Sequence, residues 1–151
     1  MTTSTRAWGV AALASALLLA GMTRPALSHH SFAMYDMTET RTMTGTLARF
    51  IPGSNHAQLI FDLVHDDGTP MTENGKPVRW GVEMASASAI ARNGITVASF
   101  PVGTIMAVSL HPLRDGRPFG AIGGPIIHCG TAMPAGGCTV KTGKAFGGPA
   151  D

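Results

Sequence analysis

His56–Val64 (HAQLIFDLV) is the most regular segment of this chain, because its apolar residues recur at every second position. The alternating apolar residues are Ala57, Leu59, Phe61 and Leu63. Gln58 and Asp62 fall between them, so the two faces of the segment differ in polarity. This two-residue period is typical of a β-strand with one buried face and one polar face.

On either side of this strand the chain alternates between strand-like segments and turns. With His56–Val64, the predicted strands are Arg41–Phe50, Val78–Met84, Thr104–Leu110 and Phe119–His128, the last interrupted at Gly123-Gly124-Pro125. Ser86–Asn93 is rich in alanine, has a serine to cap it and is followed by Gly94, so it predicts one short helix.

The predicted order is therefore β-β-β-α-β-β, which is the layout of the OB-fold. We predict a mainly β fold: a small five-stranded OB-like Greek-key barrel with one short helix between strands 3 and 4. A plain β-sandwich with the same strands paired differently is the alternative.

Residues 1–28 have the pattern of a secretory signal peptide rather than of a folded segment. Arg6 provides a short positive region, Ala7–Met22 is almost entirely apolar, and Ala26 and Ser28 are small residues suited to a cleavage site. We predict cleavage after Ser28 and a periplasmic or secreted protein without a stable membrane span. An uncleaved N-terminal anchor is the alternative.

The charge of the predicted mature chain argues against nucleic-acid binding. Two of the 11 basic residues lie in the signal, which leaves nine basic and nine acidic residues and a formal net charge of zero. A nucleic-acid-binding domain normally carries a basic patch, so we expect no nucleic-acid partner.

Cys129 and Cys138 are the only cysteines, and in an oxidising compartment such a nearby pair predicts a disulfide. A metal-binding or redox thiol pair is the alternative. The Gly-rich residues that follow predict a flexible tail over 139–151, so the predicted domain spans 29–138.

Several short motifs give the chain a resemblance to a known family. They are His29-His30-Ser31-Phe32, Thr44-Gly45-Thr46, Asn55-His56-Ala57, Trp80 to Glu83, Ser86 to Gly94, and His111 to Gly116. In this order they resemble an uncharacterised family of small exported bacterial proteins, catalogued as a domain of unknown function, whose mature chains begin His-His-Ser-Phe. This chain departs from the family in lacking a proline between Asn55 and His56. The resemblance implies no particular activity.

Cleavage after Ser28 would make His29 the first residue, with its free amine and its ring nitrogen close together. One further imidazole completes a three-nitrogen set that suits Cu(II) and resembles the histidine brace of copper proteins. The candidate partners are His30, His56 and His111. Cleavage after Leu27 would instead give Ser-His-His, another Cu(II)- or Ni(II)-binding arrangement.

These features lead to a first hypothesis of an exported metal-binding protein, most plausibly for copper. No acid/base pair, activated nucleophile or phosphate loop is recognisable, so we expect binding rather than catalysis. Glu83 is interpreted either as a charge on the solvent face or as a partner for Arg79 or Arg92. The second hypothesis is a metal-free OB-like module that binds an envelope protein or a small envelope ligand through its barrel face, where Trp80, Phe50 and Phe61 would matter by packing or contact. The third is an accessory subunit of an exported redox enzyme.

Overall fold

A computed structural model of the chain describes residues 32–147. Its strands are β1 (Arg41–Ile51), β2 (Gln58–Leu63), β3 (Thr72–Glu73), β4 (Lys76–Pro77), β5 (Arg79–Glu83), β6 (Ile105–Pro112), β7 (Phe119–His128) and β8 (Lys144–Phe146). One α-helix, α1 (Ala87–Ala91), and one 3-10 turn (Phe32–Met34) complete the secondary structure of this part of the chain. The predicted signal peptide, His29 and His30 lie outside the described residues.

The five long strands close into a barrel. β1 lies between β2 and β6 and is antiparallel to both, while β2 also pairs with β5, and β6 with β7. A parallel pairing of Gly81–Glu83 with Phe119–Ala121 then joins β5 to β7 and completes the ring. With α1 between the third and fourth barrel strands, this confirms the OB-like barrel that the sequence predicts.

The alternation in β2 has the predicted consequence for the core. Leu59 and Phe61 are fully buried, together with Leu47 of β1, Val82 of β5 and Val108 of β6. Burying an aliphatic or aromatic side chain of this size stabilises a fold by about 1.5–3 kcal/mol. These inward-facing residues are therefore the main source of the barrel's stability.

Two glycines let aromatic rings lie directly on the backbone of the barrel. A Cβ atom at Gly45 of β1 would be 2.6 Å from Cδ2 of Phe61, and one at Gly81 of β5 would overlap the ring of Phe119. Both positions belong to the short motifs noted above. Their glycines are explained by close packing rather than by a special backbone conformation.

Helix α1 is shorter than the predicted Ser86–Asn93. Ser86 is its N-cap, and the hydroxyl oxygen accepts a hydrogen bond from the backbone N–H of Ala89. Asn93 N–H and Gly94 N–H donate to the carbonyls of Ile90 and Ala91, and Gly94 adopts a positive φ of 77°. The helix therefore ends in a glycine-dependent turn, as expected, but after only five residues.

Two strand pairings were not predicted. β3 and β4 form a small hairpin around Asn74 and Gly75, whose φ values of 52° and 73° are those of a tight turn. β8 pairs with β7, and Phe146 packs against the core. The fold therefore includes residues 144–146, which lie beyond the predicted domain boundary at 138.

The N-terminal arm, residues 32–40, lies along β6 before the chain enters β1. Tyr35 forms a single antiparallel bridge with Leu113. Asp36 N–H donates to the carbonyl of Pro112 at 2.8 Å, and Arg114 N–H donates to the carbonyl of Met34 at 3.0 Å. The arm thus fixes the direction from which the chain approaches the barrel.

Candidate metal-binding site

His56 lies just before β2 and is held from one side by the end of β5. Its Nδ1 is 3.2 Å from the carbonyl oxygen of Met84 and 3.4 Å from Oε1 of Glu83. Both neighbours are hydrogen-bond acceptors, so Nδ1 carries the proton and the ring's lone pair is on Nε2. Metal-binding histidines commonly have this arrangement, since a carbonyl or carboxylate on one nitrogen orients the other toward the ion.

Glu83 reaches this position through pairings on both sides of β5. It is opposite Gln58 of β2 and Ala121 of β7, and its side chain is 28 % exposed. The expected pairing with Arg79 or Arg92 is wrong. Arg79 donates two hydrogen bonds to Asp62 at 2.6 and 2.9 Å, and Arg92 donates to the carbonyl of Ser88. The carboxylate of Glu83 therefore faces His56 instead of an arginine.

Tyr35 of the N-terminal arm is the third side chain of this region. It is 4 % exposed and packs with Leu113, Phe119 and Ala121 on the outside of the barrel. Burial, and secondarily the negative charge of Glu83, raise the pKa of the Tyr35 phenol above its ordinary value. The arm is therefore anchored next to the carboxylate that also faces His56.

His111 belongs to a different part of the surface. Its Nδ1 donates to the carbonyl of Glu39 at 2.8 Å, and its ring covers Gly123. His111 of β6 pairs with Ala121 of β7, and Ala121 pairs in turn with Glu83 of β5. His111 and Glu83 are therefore two strand spacings apart, and each spacing is about 4.8 Å. Tyr35 packs on Ala121 between them. The structure thus brings His56 and Glu83 together but places His111 apart from them.

The other two described histidines, His65 and His128, make contacts that belong to the fold. His65 lies in the turn after β2, where its N–H donates to the carbonyl of Thr69. The ring of His128 packs edge-on against Phe100, and its Nδ1 accepts a hydrogen bond from Gly130 N–H. Neither residue lies near His56 in the barrel.

Within residues 32–147 no group of three or more His, Cys, Asp or Glu side chains is arranged to hold a metal ion. His56 and Glu83 form a pair, and the other predicted ligands, His29 and His30, precede the described residues.

Cys129 and Cys138 form the predicted disulfide, with Cα atoms 5.7 Å apart. Cys138 is buried in a small apolar cluster with Ile105, Ala107 and Ile127. This finding excludes the alternative of a free thiol pair. It also removes both cysteines from the set of possible metal ligands.

The sequence model of a family described as a family of unknown function, DUF6152, matches residues 16–122, which is more than half of the chain. The chain belongs to this family. The match includes Tyr35, His56, Glu83 and His111, whereas the disulfide and β8 lie beyond it. Membership of DUF6152 confirms the resemblance to an uncharacterised family, while the His-His-Ser-Phe start of its mature chains stays a prediction. No curated protein and no solved structure matches the chain.

Tyr35 and the contact between Glu83 and His56 were not identified from the sequence. The arm around Tyr35 shows no periodicity, and Glu83 is brought to its place by residues far away in the chain. The one available signal was the presence of histidine, tryptophan and glutamate in motifs shared with the family.

Proposed function

We propose that this member of DUF6152 is an exported protein that binds a transition metal, most plausibly copper, through His29 and His56. In this proposal the ligands are the N-terminal amine and ring of His29 and the Nε2 atom of His56. Three nitrogen donors of this kind suit Cu(II), which favours tetragonal sites with nitrogen and oxygen ligands. His30 is available as a further imidazole next to His29.

The observation that carries the proposal is the hydrogen bonding of His56. The Met84 carbonyl accepts a hydrogen bond from Nδ1, and the Glu83 carboxylate lies 3.4 Å from the same nitrogen, which favours the tautomer that a metal-bound imidazole needs. His111 is oriented in a similar way by Glu39, but it lies on the other side of Tyr35. We therefore favour His56 over His111 as the partner of the N-terminal histidine.

Covalent geometry is compatible with this ligand set. Tyr35 packs with Ala121, which pairs with Glu83, and His29 is six positions before Tyr35 in the chain. An extended chain spans at most about 3.3–3.6 Å per residue, so the length of chain between His29 and Tyr35 permits the proposed ligand set.

Export is part of the proposal and rests on two observations. The chain begins with the signal-peptide pattern described above, and it contains a disulfide, which persists mainly in oxidising compartments. Among residues 32–147 no helix is long and apolar enough to cross a bilayer. The mass of the protein recovered from the envelope or medium tests the cleavage, and we expect a chain that begins at His29.

Copper titration of two forms of the mature protein tests the metal site. One form begins at His29, and the other carries a single additional alanine before His29. The addition keeps every side chain but moves the free amine away from the His29 ring. We expect the first form to bind one Cu(II) about 100-fold more tightly, which corresponds to about 2.7 kcal/mol.

Two histidine variants complete this test. His56→Ala should weaken Cu(II) binding in the form that begins at His29, whereas His65→Ala is the matched control, because His65 is an exposed turn residue. Equal and weak binding by the extended and unextended forms would show that the N-terminal site does not exist.

A cavity of about 310 Å³ supports the second hypothesis, a metal-free module that binds a small envelope ligand. It lies between α1, β7 and β8, and its apolar walls include Ile90, Ile122 and Phe146. Small-molecule sites commonly have about this volume or more. Ile122→Trp should fill the cavity. If this variant no longer binds a neutral apolar fluorescent probe that the wild type binds, and its Cu(II) affinity is unchanged, the result would favour this alternative.

A further inference from the structure

The methionines in the described part of the chain differ in exposure. Five are partly or fully buried: Met43, Met71, Met84, Met106 and Met133. Met34 and Met37 are 51 % and 45 % exposed, and both belong to the N-terminal arm. Because both cysteines form the disulfide, Met34 and Met37 are the most exposed residues with an unbonded sulfur side chain among residues 32–147.

The backbone that carries Met34 and Met37 is held in place. The carbonyl of Met34 accepts from Arg114 N–H, and Asp36 N–H donates to the carbonyl of Pro112. After Asp36 the chain forms a turn, in which Glu39 N–H donates to the carbonyl of Asp36 at 3.1 Å. Both methionines are therefore displayed by an anchored segment.

The side chain of Asp36 reinforces this turn and contributes a negative charge. Its Oδ1 accepts from the backbone N–H and the hydroxyl of Thr38 at 3.1 and 2.7 Å. These hydrogen bonds hold the pKa of Asp36 below its usual range, so the carboxylate is ionised at neutral pH. A cation bound between Met34 and Met37 would lie close to this carboxylate, whose Oδ1 is also 3.6 Å from Nη2 of Arg114.

The spacing allows both sulfur atoms to contact one ion. Two Cα atoms three residues apart are separated by at most about 11 Å. Each methionine side chain has three rotatable bonds, so both thioethers can turn toward a shared position. Tyr35 between them is buried against the barrel, which fixes the arm without using either sulfur atom.

We propose that Met34 and Met37 form a thioether site for a soft monovalent cation, with Cu(I) as the biological ion. Thioethers prefer Cu(I), whereas the nitrogen set proposed at His29 and His56 prefers Cu(II). The assignment of Cu(I) rests on the proposed copper function, but the thioether site itself does not. The arm and its N-terminus then provide separate sites for the two oxidation states of one metal.

Silver(I) is the probe that tests the site, because it has the charge and soft character of Cu(I) and is stable in air. In mature protein with isotope-labelled methionine methyl groups, one equivalent of Ag(I) should shift the resonances of Met34 and Met37. The resonances of Met71 and Met133 serve as internal controls and should not move. The double variant Met34→Leu/Met37→Leu should bind Ag(I) at least about tenfold more weakly.

The controls separate this inference from the proposed function. Met71→Leu/Met133→Leu makes the same chemical change elsewhere, and methionine-to-leucine exchange is well tolerated in folded proteins. This control variant should keep the Ag(I) affinity. The alanine added before His29 should weaken Cu(II) binding but leave Ag(I) binding within about twofold. Anaerobic competition with a Cu(I) chelator should rank the variants in the same order.

Two results would overturn the inference. One is an Ag(I) titration in which the methyl resonances of Met34 and Met37 stay fixed. The other is equal Ag(I) affinity of the wild-type protein and Met34→Leu/Met37→Leu. If Ag(I) binds as expected but the alanine extension leaves Cu(II) binding unchanged, the thioether site stands and the N-terminal Cu(II) site fails.

Discussion

The two ends of the described chain are attached to the barrel by different means. The C-terminal segment, residues 130–147, is held by the disulfide that ties Cys138 to Cys129 at the end of β7, by the pairing of β8 with β7, and by Phe146, whose ring packs edge-on against Phe100 at 5.0 Å. The N-terminal arm is held by the buried ring of Tyr35, by a few backbone hydrogen bonds and by the contact of Glu39 with His111.

This contrast indicates which end can move while the barrel stays intact. Detaching Cys138 from the end of β7 requires breaking a covalent bond, and detaching β8 requires removing the ring of Phe146 from the core. Detaching the arm requires only the release of Tyr35 and its neighbouring hydrogen bonds. Of the candidate metal ligands, Met34 and Met37 lie on this less strongly fixed arm.

Tyr35→Ala should have the largest effect, but only on the arm. Truncating a buried aromatic side chain to alanine costs about 3–5 kcal/mol. We expect rapid hydrogen exchange at Asp36 N–H and Arg114 N–H, which join the arm to β6, and retained protection at Leu47 N–H within the barrel. Equal loss of protection at Leu47 would mean that the arm is part of the cooperative unit of the barrel.

Replacing both cysteines, Cys129→Ser/Cys138→Ser, should act on the whole domain instead. By the chain-entropy account, a disulfide that closes so short a loop stabilises the fold by about 2–3 kcal/mol. Urea unfolding should therefore shift to a lower midpoint. The hydrogen-exchange protection of Asp36 N–H and Arg114 N–H, relative to that of the barrel amides, should stay the same. An unchanged midpoint contradicts the view that the C-terminal end is fixed by its covalent bond.

His56→Ala and His111→Ala compare the two histidines on either side of Tyr35. We expect His56→Ala to weaken Cu(II) binding about tenfold, which is about 1.4 kcal/mol, and His111→Ala to change it less than about twofold. Isothermal titration of both variants in the form beginning at His29 gives the ranking. The reverse ranking would move the proposed site from His56 to His111.

The smallest effect concerns the alkaline titration of Tyr35, the single tyrosine of the chain. Its pKa is raised by burial and by Glu83, so the fold favours the neutral phenol. Its contribution to stability is complete below the ordinary pKa of about 10 and is lost as the pH rises through the raised value. Phenolate absorbance follows this titration directly.

Two variants check the cause of that shift. Glu83→Gln removes the charge but not the burial, so the pKa of Tyr35 should fall only part of the way toward its ordinary value. Tyr35→Phe should remove the corresponding loss of stability at alkaline pH. If the pKa of Tyr35 is the same in Glu83→Gln as in the wild type, the charge of Glu83 does not act on Tyr35. The arm would then have no electrostatic coupling to the region of His56.

The sequence predicted those parts of the fold that depend on local periodicity. Leu59 and Phe61 alternate with polar residues, and this was enough to place β2 and orient it. Lys144–Phe146 is too short to show any period, so β8 could not be recognised, and Asn74-Gly75 was read as a turn without the two short strands beside it.

The candidate site was predicted in part, because its histidines are visible in the sequence but their surroundings are not. His56 was a candidate from its position before a strand. That Glu83 faces it, and that His111 does not join it, depend on the order of β2, β5, β7 and β6 around the barrel. Such long-range pairings leave no local pattern from which they could be read.

The ring of barrel strands closes through two pairings between distant parts of the chain. Residues 81–83 pair with 119–121, and residues 41–46 pair with 105–110, whereas β1, β2 and β5 pair through consecutive neighbours. Contacts between distant parts of a chain form slowly because a long loop has to be ordered first. We therefore expect closure of the ring, rather than formation of the β1–β2–β5 sheet, to limit the rate of folding.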